Sequence, residues 1–266
     1  MSEPIRIKVD VTNPGQFFAC CGLLELASRV CSKHLHAWFE IDCFRFAAVE
    51  VESDLPELDA LLSRISQLTL KQLDAEDHGA SPLDLVVDKA RFRLDWWKDS
   101  GSNGQALKPW AGTQGGFRIA TAMLRAIPSQ DAENFLDFST VVYDPAEPTK
   151  KVEPFYFDAR RGARPFSRDI GFAPDALQMT TLAFPAVEFF CLVGLQRCRP
   201  RPAAEPRIFD YFTWSVPLPV NVLPAAVSGL LPGIGAEGYR FENAFRTDQR
   251  KHKAFSSATP LSRRFP

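Results

Sequence analysis

Residues 5–11 alternate apolar Ile5, Ile7, Val9 and Val11 with charged Arg6, Lys8 and Asp10, the period of a half-buried strand. Thr12-Asn13-Pro14-Gly15 then interrupts the alternation. Thr12 or Asn13 suits an N-cap, and Pro14 suits the first turn of a helix. From Phe17 to about Val30 the chain is apolar on nearly every face through Leu24, and Glu25, Ser28 and Arg29 supply a polar stripe later. Such a pattern predicts a helix whose first half is buried. Residues 37–41 and 44–51 read as strands. Residues 54–70 read as a second helix, with Leu58, Leu61, Leu62, Ile65 and Leu68 on one face and Asp54 and Glu57 opening it like a capping box. Residues 83–87 and 91–94 are two further short strands. The resulting β-α-β-β-α-β order is the split unit of a ferredoxin-like fold.

The second half is less regular. A helix is expected over 112–127, with Ile119, Ala120, Met123, Leu124 and Ile127 inward, followed by proline-bearing turns at 144–148. Phe155-Tyr156-Phe157 reads as a short strand, Pro185 opens an apolar helix through Cys198, and 207–216 is an aromatic-rich strand. A last helix is expected over 219–231, ending at Gly233. The pattern as a whole predicts an α+β protein in three parts. Residues 1–100 form the ferredoxin-like unit, 101–240 a mixed, helix-richer half packed on it, and 241–266 a basic, flexible tail. One echo crosses the first two parts: Phe17-Phe18-x-x-x-Gly22-Leu23 and Phe189-Phe190-x-x-x-Gly194-Leu195 match, each after a helix-opening proline. A duplicated unit explains it, and so does a buried helix that needs bulk followed by a small residue at a close crossing.

The 266 residues are 45% hydrophobic and 24% charged, a globular composition that excludes disorder as the main state. No run of 18 apolar residues suggests a membrane span, and the charged first ten residues do not resemble a secretory signal. Six cysteines without a CxxC pair fit reduced thiols in a cytoplasmic protein. The formal net charge of −1 hides an uneven distribution. Residues 40–88 hold 12 acids and 3 Lys/Arg, residues 150–201 hold 9 Lys/Arg and 5 acids, and residues 240–266 hold 7 Lys/Arg and 2 acids. A polar molecule of this kind offers a basic face to a polyanion and an acidic one to solvent or to a basic partner.

Candidate chemistry follows the basic stretches. Arg160, Arg161, Arg164 and Arg168 fall within nine residues, and arginine makes bidentate phosphate contacts. Trp96-Trp97-Lys98 and Lys108-Pro109-Trp110 interleave aromatics with lysine, a pairing that stacks bases while an ammonium meets phosphate; tryptophans bracing two halves explain the same pattern. Arg250, Lys251 and Lys253 form a tail run that reads as an exposed arm. The loop 112–116 lacks the lysine and serine of a P-loop. Cys20 and Cys21 lie near a helix N-terminus but have no base beside them in sequence, which suits core filler better than a nucleophile. Cys31, His34, His36 and Cys43 match no common zinc spacing, and loose surface histidines are the simpler reading. No metal or other cofactor is expected.

Several stretches resemble a known family. Residues 12–27, Thr12-Asn13-Pro14-Gly15-Gln16-Phe17-Phe18-Ala19-Cys20-Cys21-Gly22-Leu23-Leu24-Glu25-Leu26-Ala27, look like the opening helix of a subtype-specific CRISPR-associated protein of the Csb group, found with type I-U (also called I-G) systems. Leu94-Asp95-Trp96-Trp97, residues 107–114, residues 154–161, Phe172-Ala173-Pro174-Asp175-Ala176-Leu177 and the helix over 185–200 extend the match across residues 10–220 in the expected order. Pro109 and Thr113 depart from the family's pattern and bear on loop detail. The resemblance implies a non-catalytic subunit of a crRNA-guided surveillance complex, whose partners are other CRISPR effector subunits and crRNA or target DNA. In such complexes base pairing reads sequence, while protein subunits hold backbones or read a short flanking motif. Large-subunit equivalent and accessory piece both remain open. The rival classes are an enzyme, either a metal-dependent nuclease or a cysteine hydrolase, and a protein–protein adaptor docking through residues 40–88. Four histidines and no paired acidic metal motif weigh against the enzyme.

Overall fold

The computed structural model describes residues 3–49, 55–74, 80–88, 90–98, 104–110, 115–128, 134–161, 182–246 and 252–261. The protein is α+β, with several antiparallel sheets. Strand β1 (Ile5–Lys8) leads into helix α1 (Pro14–Cys31) through Asn13, whose side chain caps the helix by accepting from the Gly15 N–H at 3.1 Å. Ser32, at φ 52, closes the helix in the left-handed conformation. Every residue from Pro14 to Ala27 is buried, as the nearly all-round apolar pattern implies. Strands β2 (Leu35–Glu40) and β3 (Cys43–Ala48) form a hairpin, and β1 pairs antiparallel with β3 to give the order β1-β3-β2. The inner face carries Ile7, Phe44, Phe46, Ala37 and Phe39 against α1.

That order matches three strands of a ferredoxin-like unit, but the fourth does not return. Helix α2 (Leu58–Ser66) ends before the predicted 70, and Leu70 belongs instead to β4 (Thr69–Gln72). This strand pairs with β5 (Leu83–Val87), which pairs with β6 (Ala90–Leu94), in a separate three-stranded sheet. The physical reason lies in β5. Four of its five residues, on both faces, are buried, and a central strand of that kind needs a neighbour on each edge. Glu57 stands at the N-cap of α2 without a side-chain cap bond, and Asp54 lies outside the described residues.

In the second half, short helix α3 (Gly104–Leu107) precedes α4 (Gly116–Arg125), and α5 (Pro185–Gly194) is buried at every position. Strands β7 (Arg201–Pro202), β8 (Ile208–Phe212), β10 (Gly238–Phe245), β11 (Lys253–Phe255) and β12 (Thr259–Pro260) build the third sheet, with β10 pairing β8, β11 and β12. Strand β9 (Leu218–Pro219) instead joins β2. The expected helix over 219–231 shrinks to α6 (Leu223–Val227) after a 3₁₀ turn, and Gly229 at φ +73 stops it. Phe155-Tyr156-Phe157 is not a strand, because Tyr156 at φ 69 breaks the extended run. The tail is also not a free arm where it is described, since β11 and β12 are hydrogen-bonded into the sheet.

One continuous core runs from Ile7 to Ala258 and takes residues from all three predicted parts. At its centre α1 crosses α5. A Cβ on Gly22 would collide with the Phe190 carbonyl, and a Cβ on Gly194 would collide with the Phe18 carbonyl. The echoed glycines therefore meet each other's helix reciprocally. Phe17 stacks on Phe39 of β2 at 5.2 Å and meets Tyr211 of β8 in a tilted contact at 4.5 Å, so α1 packs against two sheets at once. Trp214 ties those sheets together: its indole N–H donates to Ala37 O at 2.7 Å, and its carbonyl accepts from Phe39 N–H at 2.8 Å.

Candidate nucleic-acid interface

The sequence-predicted cations separate into a compensated group and a crowded one. Arg160 follows Asp158 in a 3₁₀ turn (Ala159–Arg161) and is held on all sides. Its guanidinium pairs with Asp158 at 2.7 Å and Asp137 at 2.6 Å, donates to Leu136 O at 2.7 Å, and lies 3.6 Å from the ring centre of Phe184. Burial works against its charge, yet the bonds and charges of Asp158 and Asp137 raise its pKa above the usual arginine value. Arg160 therefore acts as a strut in the fold, a correction to its place as a phosphate contact. Arg161 is partly exposed, and its backbone N–H donates to Asp158 O at 2.9 Å. Arg164 and Arg168 lie outside the described residues.

The strut serves a buried network. Asp158 is fully buried and also accepts from Asn13 Nδ2 at 3.0 Å, while Asn13 Oδ1 accepts from Ala159 N–H. Glu188 of α5 accepts the Phe157 and Asp158 backbone N–H groups, both at 3.2 Å. Burial pushes the Glu188 carboxyl up to about 8; the backbone donors pull against it and the Asp158 charge adds to it. This network joins the cap of α1 to the side of α5.

Trp96 and Trp97, with 0% and 2% of their surface exposed, do not offer a ring face to a base. Trp96 donates to Leu192 O of α5 and Trp97 to Ala80 O, each at 3.0 Å, and both pack edge-on against Trp110. The bracing alternative is the observed one.

Lys108 and Lys253, 145 residues apart, come together. The Lys253 backbone N–H donates to Pro109 O at 3.0 Å and its ammonium to Ala106 O at 3.2 Å. The Lys108 ammonium stands 5.0 Å from the Trp110 ring centre. Burial, then the charges of Arg207 and Lys108, depress the Lys253 pKa to about 8. Arg207 sits 4.7 Å over Phe245 and meets Glu242 at 3.4 Å, while its Nε is buried without a partner. Asn243, fully buried, donates to Ala106 O at 2.7 Å and leaves Oδ1 unpartnered. Arg246 stacks on Tyr156 at 3.4 Å. Three like charges crowd a half-buried floor here, the electrostatic condition that an anion relieves. Arg250 and Lys251 lie outside the described residues. Arg207, Asn243 and Arg246 escaped sequence reasoning. Arg207 stands alone among apolar and acidic neighbours in sequence, and only the pairing of β10 with β8 and β11 brings it to the lysines.

Cys20, Cys21 and Cys191 lie in the buried core. Burial raises the Cys20, Cys21 and Cys191 thiols well above their usual value, which disfavours a thiolate nucleophile. His36 faces Ala47 and Cys43 faces Glu40 in the β2–β3 register, four positions or about 13 Å apart. Among the described residues, no group of three or more His, Cys, Asp or Glu is placed to hold a metal ion. No described helix is long and apolar enough to cross a membrane. A cleft of about 290 Å³ opens between the β2–β3 turn and the third sheet, lined by Glu40, Asp42, Trp214, Glu237 and Tyr239 among others. Burial, then Glu237, Asp10 and Asp42, push the Tyr239 hydroxyl up to about 12. No protein-family model matches this chain, and no curated protein or solved structure matches it either.

Proposed function

We propose that this chain is a non-catalytic subunit of a crRNA-guided CRISPR surveillance complex of the type I-U (I-G) kind, contributing contacts to a nucleic-acid backbone. The observation that carries the backbone contact is the crowding of Lys108, Arg207 and Lys253, with the Lys253 pKa depressed to about 8 in their midst. The placement in a CRISPR complex rests on the sequence resemblance. Its motifs are also the framework of the fold: Asn13, Trp96, Trp110, Phe157 and α5 all meet around the helix crossing. Raised thiol pKa values at Cys20, Cys21 and Cys191 weigh against the cysteine hydrolase alternative.

The test is fluorescence-anisotropy titration of labelled RNA and DNA across a salt series. Replacing Lys108 and Lys253 by Glu should weaken binding at least tenfold and flatten the dependence of log K on log salt by about two phosphate contacts. Unchanged affinity in that double variant sinks the interface. The Arg160→Ala variant is a poor probe, because removing the strut leaves Asp158 buried and uncompensated. Cleavage of DNA or RNA with added Mg²⁺ or Mn²⁺, abolished by chelation, would replace this reading by the nuclease. Co-purification with neighbouring CRISPR subunits and crRNA tests the complex itself.

The adaptor reading is favoured by one observation, the carboxylate-lined cleft beside Ile41, a residue 93% exposed at the β2–β3 turn. Association with other subunits that survives nuclease treatment and the Lys108→Glu/Lys253→Glu change would favour it.

A further inference from the structure

The β1-β3-β2 sheet has a second face, turned away from α1. Alternation along β1 places Arg6 and Lys8 there, both exposed. Cys43 and Arg45 come from β3, and His36, Trp38 and Glu40 from β2, by the same alternation. The register aligns them in rows. Arg6 stands directly opposite Arg45, and Arg45 directly opposite Trp38. Lys8 opposes Cys43, which opposes Glu40 in the next row.

Two arginines opposite one another on an antiparallel pair repel, with Cβ atoms about 5 Å apart, and the fold offsets this in part by pairing Arg45 with Glu40. Among the described residues of these three strands, Arg6, Lys8 and Arg45 share the face with one carboxylate, Glu40. That carboxylate also organises the aromatic group. Glu40 Oε1 accepts from the Trp38 indole N–H at 3.1 Å, and Oε2 pairs with Arg45 at 2.6 Å. The indole is therefore held by its edge on a partly exposed face, about 10 Å across the sheet from the Arg6 position. Arg45 Nε is buried without a hydrogen-bond partner.

A positively charged track beside a fixed aromatic ring, one side packed on the core and the other partly exposed, is the chemistry that binds single-stranded nucleic acid, with bases stacking on the aromatic and phosphates meeting the cations. We infer that the outer face of the β1-β3-β2 sheet is a binding platform for single-stranded RNA or DNA, with Trp38 as the base-stacking ring and Arg6, Lys8 and Arg45 as phosphate contacts. A duplex, whose bases are already stacked, does not use it. This site is separate from the Lys108–Arg207–Lys253 cluster and deepens the same nucleic-acid reading by naming the form of the ligand.

The tryptophans make the test selective. The chain has five, and Trp96, Trp97, Trp110 and Trp214 are buried at 5% exposure or less. Quenching of intrinsic fluorescence by bound bases therefore reports on Trp38. Oligo(U) and oligo(dT) should quench the intact protein, whereas a duplex of the same length should not. Trp38→Phe should remove the quench and keep most of the affinity, and Trp38→Ala should weaken binding about tenfold. Arg6→Glu with Lys8→Glu, both at exposed positions, should weaken binding and flatten its salt slope. Binding seen by anisotropy without a quench, a quench that persists in Trp38→Phe, or unchanged affinity in the Arg6→Glu/Lys8→Glu protein overturns the platform. The two sites fail separately. If Lys108→Glu/Lys253→Glu leaves affinity and quench intact, the cluster is wrong and the platform stands. Binding lost with that variant but never accompanied by a quench shows the reverse.

Discussion

The two helices that cross at the centre each bond to a turn built from different polar groups. Before α1, Asp10 Oδ1 accepts from Thr12 N–H at 2.8 Å, and Gln16 Oε1 accepts from Asp10 N–H at 2.8 Å. Beside α5, Asp158 Oδ1 accepts from Arg160 N–H at 2.9 Å, and Glu188 accepts from Asp158 N–H. Gln16 and Glu188 each precede a Phe-Phe pair, with a crossing glycine six positions on. Asp10 is exposed and Asp158 is fully buried. Where water reaches the turn, a neutral amide suffices. Where it does not, two buried carboxylates face each other and need Arg160 and Asn13 to hold them. The two turns differ in spacing: Asp10 lies six residues before Gln16, and Asp158 lies thirty before Glu188.

The comparison breaks most severely at the crossing itself. Gly22→Ala or Gly194→Ala forces a methyl into a backbone carbonyl and should cost about 3 kcal/mol or more, read as a fall in the urea midpoint. Gly116→Ala, whose new Cβ would stand 3.5 Å from the Trp110 ring, is the control and should change stability by less than about 1 kcal/mol. Equal effects at Gly22 and Gly116 would refute the close crossing.

Glu188 separates the halves next. Its pKa is raised from 4.5 to about 8 in the folded protein, so the folded state binds more protons than the unfolded state across that window. Stability should fall by a few kcal/mol as pH rises from about 4.5 to about 8, then level off. Glu188→Gln should flatten that slope even if it lowers the baseline, because its amide must face one of two backbone donors. Gln16→Glu should import a similar slope into the other half. Denaturation midpoints at pH 5, 7 and 9 decide it.

The caps differ less. Asn13→Ala removes both the helix cap and a donor to buried Asp158, for about 2–3 kcal/mol by urea unfolding. Thr12→Ala, in the exposed turn, should cost less than about 1 kcal/mol. Equal costs would mean that burial does not distinguish the two turns.

The smallest effect lies where like charges crowd around Lys253. An anion bound beside Lys253 raises that lysine's depressed pKa, so affinity should weaken above pH 8, by at most tenfold per pH unit. Lys253→Arg, which stays charged, should remove this dependence. A flat profile in the unaltered protein would place the anion away from Lys253.

Much of the architecture was readable because the helices and paired strands declare themselves locally. Asn13-Pro14 announces the start of α1, and the alternation over 5–11 announces β1 and its two faces. Where reading failed, competition between elements decided. Residues 54–70 read as one helix, yet Leu70 serves as a strand partner of Leu85 because β5 needs an edge. Tyr156 looks like strand interior, but its positive φ turns the chain toward Glu188. Arg160 is one of four clustered candidate phosphate ligands, and nothing local says that Asp137, 23 residues away, would reach it. Lys108 and Lys253 were recognised singly, while their meeting depends on β11 closing over the end of α3.

The sequence by itself determined the α+β class, the buried entry helix and the glycine echo, because periodicity, capping and residue size act over a few neighbouring positions. Only the tertiary structure decided which cations are struts and which are crowded, which tryptophan keeps a partly exposed face, and which carboxylate is protonated near neutral pH. Those properties depend on burial and on charges from distant segments, and neither is encoded in the local pattern.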